Sequence, residues 1–141
     1  MFKKEVTYID YNDVERTETF YFNLTPTELT QLEAGIPGGM SAYMASISAA
    51  KDMPKMMDFF RMIMRKAYGE KSQDGRRLIK KDGELFDEFS ETPAFDIIFQ
   101  EIFMGDGMVP FLTGIMPSDI AEKLRPQLEQ YIQKHNLPAG E

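Results

Sequence analysis

Apolar and polar positions change their period once along this chain, near residue 24. Up to that point they alternate. VTYIDY (6–11) and TETFYFNL (17–24) set apolar against polar along a strand, and NDVER lies between them as a polar turn. Alternation marks a half-buried β-strand, and two such runs around a turn predict a hairpin over residues 5–23. Asn12 and Asp13 suit its tip, because both tolerate turn conformations and bond neighbouring backbone.

From residue 25 the signals are helical. Thr25-Pro26-Thr27-Glu28 combines a Thr cap, Pro at the first helical position and Glu three residues after the cap. The helix it opens runs through LTQLEA and ends near Gly35-Ile36-Pro37-Gly38-Gly39. MSAYMASISAAK follows, with small residues that permit close packing. Asp52 caps a third helix, with Pro54 in its first turn, which runs to about Tyr68. Thr92-Pro93 repeats the signal and starts a helix through AFDIIFQEIF, which Gly105-Asp106-Gly107 breaks. A short apolar segment, MVPFLTGIM, precedes a helix from about Ser118 to Asn136, which Pro126 kinks or divides. The predicted fold is therefore mainly α with a small N-terminal β-hairpin (α+β). It is a single domain over 1–141: a compact bundle of five or six helices within 25–135 and a loose tail at 136–141.

Composition narrows the function. The 141 residues suffice for one real core. A formal charge of −7 argues against a nucleic-acid binder, because phosphate contacts need clustered Lys and Arg. No apolar run approaches the roughly 20 residues of a membrane helix, and MFKKEVTYID lacks the apolar stretch of a secretory signal. Cysteine is absent, which removes disulfides and thiolate chemistry. The charges also divide. Residues 51–81 hold 10 Lys or Arg against 4 Asp or Glu, a balance of +6; residues 82–106 hold 8 acidic residues and no basic one, a balance of −8. Such blocks are either two solvated faces, a chain folding back on itself, or a means of pairing copies. The 11 methionines fill irregular cores or serve adaptable surfaces, and composition does not choose between these.

The segment YGEKSQDGRR (68–77) has the glycines, Lys-Ser pair and arginines of a phosphate-binding loop, but not the spacing. Glu70 separates Gly69 from Lys71, no glycine lies five residues before Gly69, and the preceding FFRMIMRKAY is helical in pattern. The one histidine, His135, stands near the C-terminus, away from any nucleophile or metal pattern. The acidic DGELFDEFSE lacks the ligand spacing of a calcium loop. No catalytic residue, metal or cofactor is implied. In the third helix, Lys55, Asp58, Arg61, Arg65 and Lys66 form a polar stripe, opposite Met53, Met56, Met57, Phe60, Ile63, Met64 and Ala67. Met62 falls inside the polar stripe and Phe59 at its edge. A second apolar contact is expected there, with another layer of the fold or with a partner.

KAYGEKSQDGRRLIK (66–80) followed by LFDEFSETPAFDIIFQEI (85–102) resembles the tail assembly chaperones of long-tailed bacteriophages infecting Gram-positive bacteria. The resemblance lies in a helix ending in Tyr-Gly, then Lys-Ser, Asp-Gly, basic residues and an aliphatic-Lys pair, then a Phe-rich acidic helix. YNDVERTETFYFNLTPTELTQLE also resembles the family's opening. Leu78 replaces an aromatic residue, and Pro93-Ala94-Phe95 replaces Glu-Ala-Tyr. The resemblance implies a non-enzymatic protein that binds the tape measure protein and promotes assembly of the major tail tube protein. It further implies action in the host bacterial cytoplasm and absence from the mature virion. On this reading YGEKSQDGRR is a helix end and loop, with Gly69 a left-handed cap, Asp74-Gly75 a turn, and Arg76 and Arg77 facing an acidic surface. The expected partner-binding residues are Phe59, Met62, Arg61, Arg65, Arg76 and Arg77, and a homo-oligomer is expected through the charge blocks. The alternatives are a permanent tail or head-tail structural protein, and a small nucleic-acid-binding regulator.

Overall fold

The computed structural model describes residues 1–122, 125, 126 and 129, except the side chain of Ser48. Its first element is the expected hairpin, slightly longer at its base. Strands β1 (Phe2–Ile9) and β2 (Glu15–Phe22) pair antiparallel from Phe2↔Phe22 to Ile9↔Glu15. Alternation settles which face is buried: Val6, Tyr8, Phe20 and Phe22 turn inward, while Glu5, Thr7, Thr17 and Thr19 face water.

The helix starts are also where the caps predict them. Helix α1 (Pro26–Gly35) opens with a capping box, in which the Glu28 N–H donates to Thr25 Oγ1 at 3.1 Å and the Thr25 N–H donates to Glu28 Oε1 at 3.0 Å. Helix α2 (Gly39–Ala50) precedes α3 (Met53–Ala67), where Asp52 accepts from the Lys55 N–H at 3.1 Å. Helix α4 (Glu84–Phe89) leads into α5 (Pro93–Phe99), capped by Thr92. Residues Gln100–Met104 extend α5 as a π-helical turn, which the sequence pattern did not signal. The apolar MVPFLTGIM segment forms α6 (Met108–Ile115) after the expected glycine break. Helical backbone resumes at 118–122. The rest of the helix expected up to Asn136, the interruption at Pro126 and the tail at 136–141 depend on residues outside the described set.

The structure corrects the reading of residues 68–79. Tyr68 does not end a helix that passes into a loop. Strand β3 (Tyr68–Lys71) follows α3 directly and pairs with β2 through Tyr21↔Gly69 and Phe22↔Tyr68; β4 (Leu78–Ile79) pairs with β3. The sheet is thus a four-stranded antiparallel meander in the order β1-β2-β3-β4. Gly69 is not a left-handed cap but an extended strand residue. Its need for glycine is steric: a Cβ there would lie 2.7 Å from Leu78 Cγ and 3.0 Å from the Ile79 carbonyl oxygen. The expected Asp74-Gly75 turn is present, with Gly75 at φ +76° and the Gly75 N–H donating to the Ser72 carbonyl at 2.9 Å.

One core joins sheet and helices, and it is strongly aromatic. Tyr68 stacks on Phe89 at 4.5 Å, Phe22 meets Phe111 edge-on at 5.4 Å, and Phe60 meets Phe103 at 5.5 Å. Each such pair adds about 0.5–1.5 kcal/mol beyond the area it buries.

Candidate partner-binding cleft

Helix α3 carries four of the six expected partner-binding residues, and packing divides them. Its buried face is Met56, Phe59, Phe60, Ile63, Met64 and Ala67. Phe59 is 3% exposed and lies 5.1 Å from the Tyr43 ring of α2. Of the two contacts expected beside Phe59, another layer of the fold is the one present: α2 covers that side of the helix and takes Phe59 out of the surface open to a partner. Burial has rotated away from the opposite flank, leaving Met53 and Met57 at 46% and 41% exposed.

The two flanking arginines hold α3 to its neighbours. Arg61 lies over the rings of Phe86 and Phe95, at 5.7 and 5.0 Å from their centroids. Arg65 forms a two-pronged pair with Asp87, both contacts at 3.0 Å, and this interaction holds the Asp87 carboxyl below its usual range. The basic and acidic blocks thus meet, at this pair, within one chain. Arg76 and Arg77 are exposed in the β3–β4 turn and do not line the cleft described next.

Met62 is half-buried and lines a cleft of about 520 Å³ between α1 and α3. Leu32 and Ile36 supply its other apolar wall, while Arg65, Lys66 and Lys80 make its polar side. Of the six expected residues, only Met62 and Arg65 share this site.

Lys80 positions the cleft, and the expected set omitted it. Its ammonium donates to the Asn23 carbonyl at 2.7 Å, the Lys66 carbonyl at 2.8 Å and both Glu28 carboxylate oxygens at 2.9 Å. One cation therefore fastens the β2–α1 junction, the N-terminus of α1 and the C-terminal turn of α3, where unpaired carbonyls favour positive charge. Burial by itself would raise the Glu28 pKa; the Thr25 N–H and the Lys80 ammonium outweigh it and hold Glu28 below its ordinary value. No local sequence signal marks this role, since the oxygens belong to residues 14 to 57 positions away.

Chemically, the cleft offers an apolar floor with a polar rim, which suits a side chain of a protein partner. Among the described residues no cluster of His, Asp or Glu is arranged to hold a metal ion. His135 lies outside them. A family model described as phage tail assembly chaperone matches residues 1–140. The chain belongs to the phage tail assembly chaperone family. The match spans the hairpin, the cleft and the segment after Gly105, so every element described above lies within the family's bounds. A tail assembly chaperone has protein partners in tail assembly, and an apolar cleft with a charged rim fits that chemistry. Among the described residues no helix is long and apolar enough to cross a membrane. No curated protein and no solved structure matches the chain.

Proposed function

We propose that this chaperone acts without catalysis, binding the tape measure protein and promoting assembly of the tail tube protein around it. The observation that carries the reading is the family match over residues 1–140. The α1–α3 cleft supports it, because Met62, Leu32 and Ile36 form an adaptable apolar surface for side chains of a long helical client. Lys66 at its rim would meet acidic residues of the same client, beside Arg65, which Asp87 already holds. Arg76 and Arg77 on the β3–β4 turn extend the positive surface, Arg61 and Phe59 hold α3 in place, and copies of the chaperone associate through opposite charge. The protein works in the host cytoplasm during assembly and leaves before the virion is complete.

The test is a Met62→Lys variant assayed by thermal melt and by copurification with the tape measure protein. A lysine at this half-buried site can extend its ammonium to the cleft mouth, so stability should change by less than about 1 kcal/mol. Copurification should be lost. Unchanged binding at unchanged stability would remove the cleft from the docking surface, and a loss of several kcal/mol would make Met62 a core residue instead. Detection of the chain in purified virions would reject the departure step.

A further inference from the structure

Residues 81–83, between β4 and α4, hold a backbone shape that ordinary residues avoid. Lys81, Asp82 and Gly83 take φ of +49°, +53° and +87°, three left-handed residues in succession. Among the described residues, Lys81 and Asp82 are the one adjacent pair of non-glycine residues with positive φ. In each of them Cβ crowds the following carbonyl oxygen, so this shape persists only where the surroundings impose it.

What imposes it is a clamp on each side. Before the turn, Lys80 is fixed by the bonds of its ammonium to Asn23, Glu28 and Lys66. After it, the Arg65 guanidinium of α3 lies against Gly83: a Cβ there would fall 2.4 Å from Arg65 Cζ, 2.5 Å from Nη1 and 2.8 Å from Nε. The same guanidinium donates to both Asp87 carboxylate oxygens at 3.0 Å, one turn further into α4. Asp87 and, to a lesser degree, Asp82 favour the charge on Arg65. The start of α4 is therefore tied to α3, and the turn stays strained, while this pair stands.

The pair itself is easily exchanged. The side chains of Arg65 and Asp87 are 42% and 56% exposed, and an ion pair in water contributes little. Arg65, Asp82 and Gly83 line the α1–α3 cleft, whereas Asp87 lies outside it. A carboxylate that enters the cleft thus competes with Asp87 for one guanidinium. We propose that residues 81–83 are a sprung wall of the cleft, latched by Arg65 on Asp87 and released when a carboxylate of the client takes the place of Asp87. Release lets Lys81 and Asp82 return to ordinary backbone, frees the start of α4 from α3 and widens the cleft on its Asp82 side. The relief of strain offsets part of the cost of breaking the pair, so the client shifts an existing balance between two shapes. The proposal rests on the cleft as the client site and adds how that site opens.

Spring and latch are tested in the free chain. Lys81→Gly should have a higher urea midpoint than Lys81→Ala, which keeps a Cβ at the same φ; equal midpoints would overturn the spring. Asp87→Asn removes the latch at an exposed site with almost no change of shape, and circular dichroism establishes that it is folded. Amide hydrogen exchange over residues 80–90 should rise about tenfold or more in this variant while the β1–β2 pairing stays as protected as in wild type. Unchanged exchange would overturn the latch. With the tape measure protein as probe, Asp87→Asn should bind about threefold or more tightly than wild type, because Arg65 no longer leaves a partner to bind it. Faster exchange with unchanged affinity would overturn release by the client and leave the cleft as its site. Binding by neither form would overturn the cleft reading and the release step together, while spring and latch stand or fall on the free chain.

Discussion

Lys80 shows how much one side chain can fix. Its side chain is 15% exposed, and its ammonium is shared among four oxygens of Asn23, Glu28 and Lys66. Lys80→Met keeps the aliphatic stem but leaves the Asn23 and Lys66 carbonyls without this donor and Glu28 without its cation. The cost should be at least about 2 kcal/mol, read as a lower urea midpoint. A change within about 0.5 kcal/mol would show that the bonds merely replace those to water. The pH dependence follows from the sign of the Glu28 shift. Its folded value lies below the ordinary 4.5, so its contribution is complete above that pH and is lost as pH falls through the folded value. The deficit of Lys80→Met should therefore narrow as pH drops below about 4.5. A deficit constant down to low pH would remove Glu28 from this account.

At the scale of elements, the helix starts were legible and the second hairpin was not. Thr25, Asp52 and Thr92 cap through bonds spanning three residues, so the signal and the structure occupy the same few positions. Strand β3 follows α3 without an intervening turn, and β4 is only two residues long, so neither shows a period of its own. β3 forms by pairing with β2, about 46 residues back in the chain, and β4 by pairing with β3. The family resemblance included Leu78 in place of an aromatic residue, and the fold gives that position a role: its side chain sits against Gly69. Gly69→Ala should cost about 1–3 kcal/mol, since the new methyl meets both a side chain and the β4 backbone. A melt indistinguishable from wild type would mean that β4 shifts freely and is not held by the sheet.

For the whole molecule, the division of charge has two consequences. Part of it is consumed internally, where Arg65 of the basic block pairs with Asp87 of the acidic block. Other members face water, including Lys66, Arg76, Arg77, Glu84 and Glu88. Exposed opposite charges on separate copies attract over a distance set by salt, about 10 Å at 0.1 M and about 3 Å at 1 M. Light scattering should thus give a mass above the monomer at low salt, falling as salt is added. A monomer mass at low salt and workable concentration would leave the charge blocks as solvated faces only.

The sequence by itself determined what depends on neighbours within a few positions: the hairpin and its inward face, the capped helix starts, the glycine break after residue 104, and the failure of the phosphate-loop spacing. It also carried the family resemblance, because that rests on ordered residue identities. Only the tertiary structure decided which flank of α3 is wet. Met53 and Met57 have the period of core residues, yet α2 covers the Phe59 side instead and leaves them exposed. The same holds for the cleft, where Met62 and Arg65 meet α1 and Lys80 across tens of residues. Periodicity places a side chain around its own helix axis, but the position of a second element decides whether that direction leads to core or to solvent.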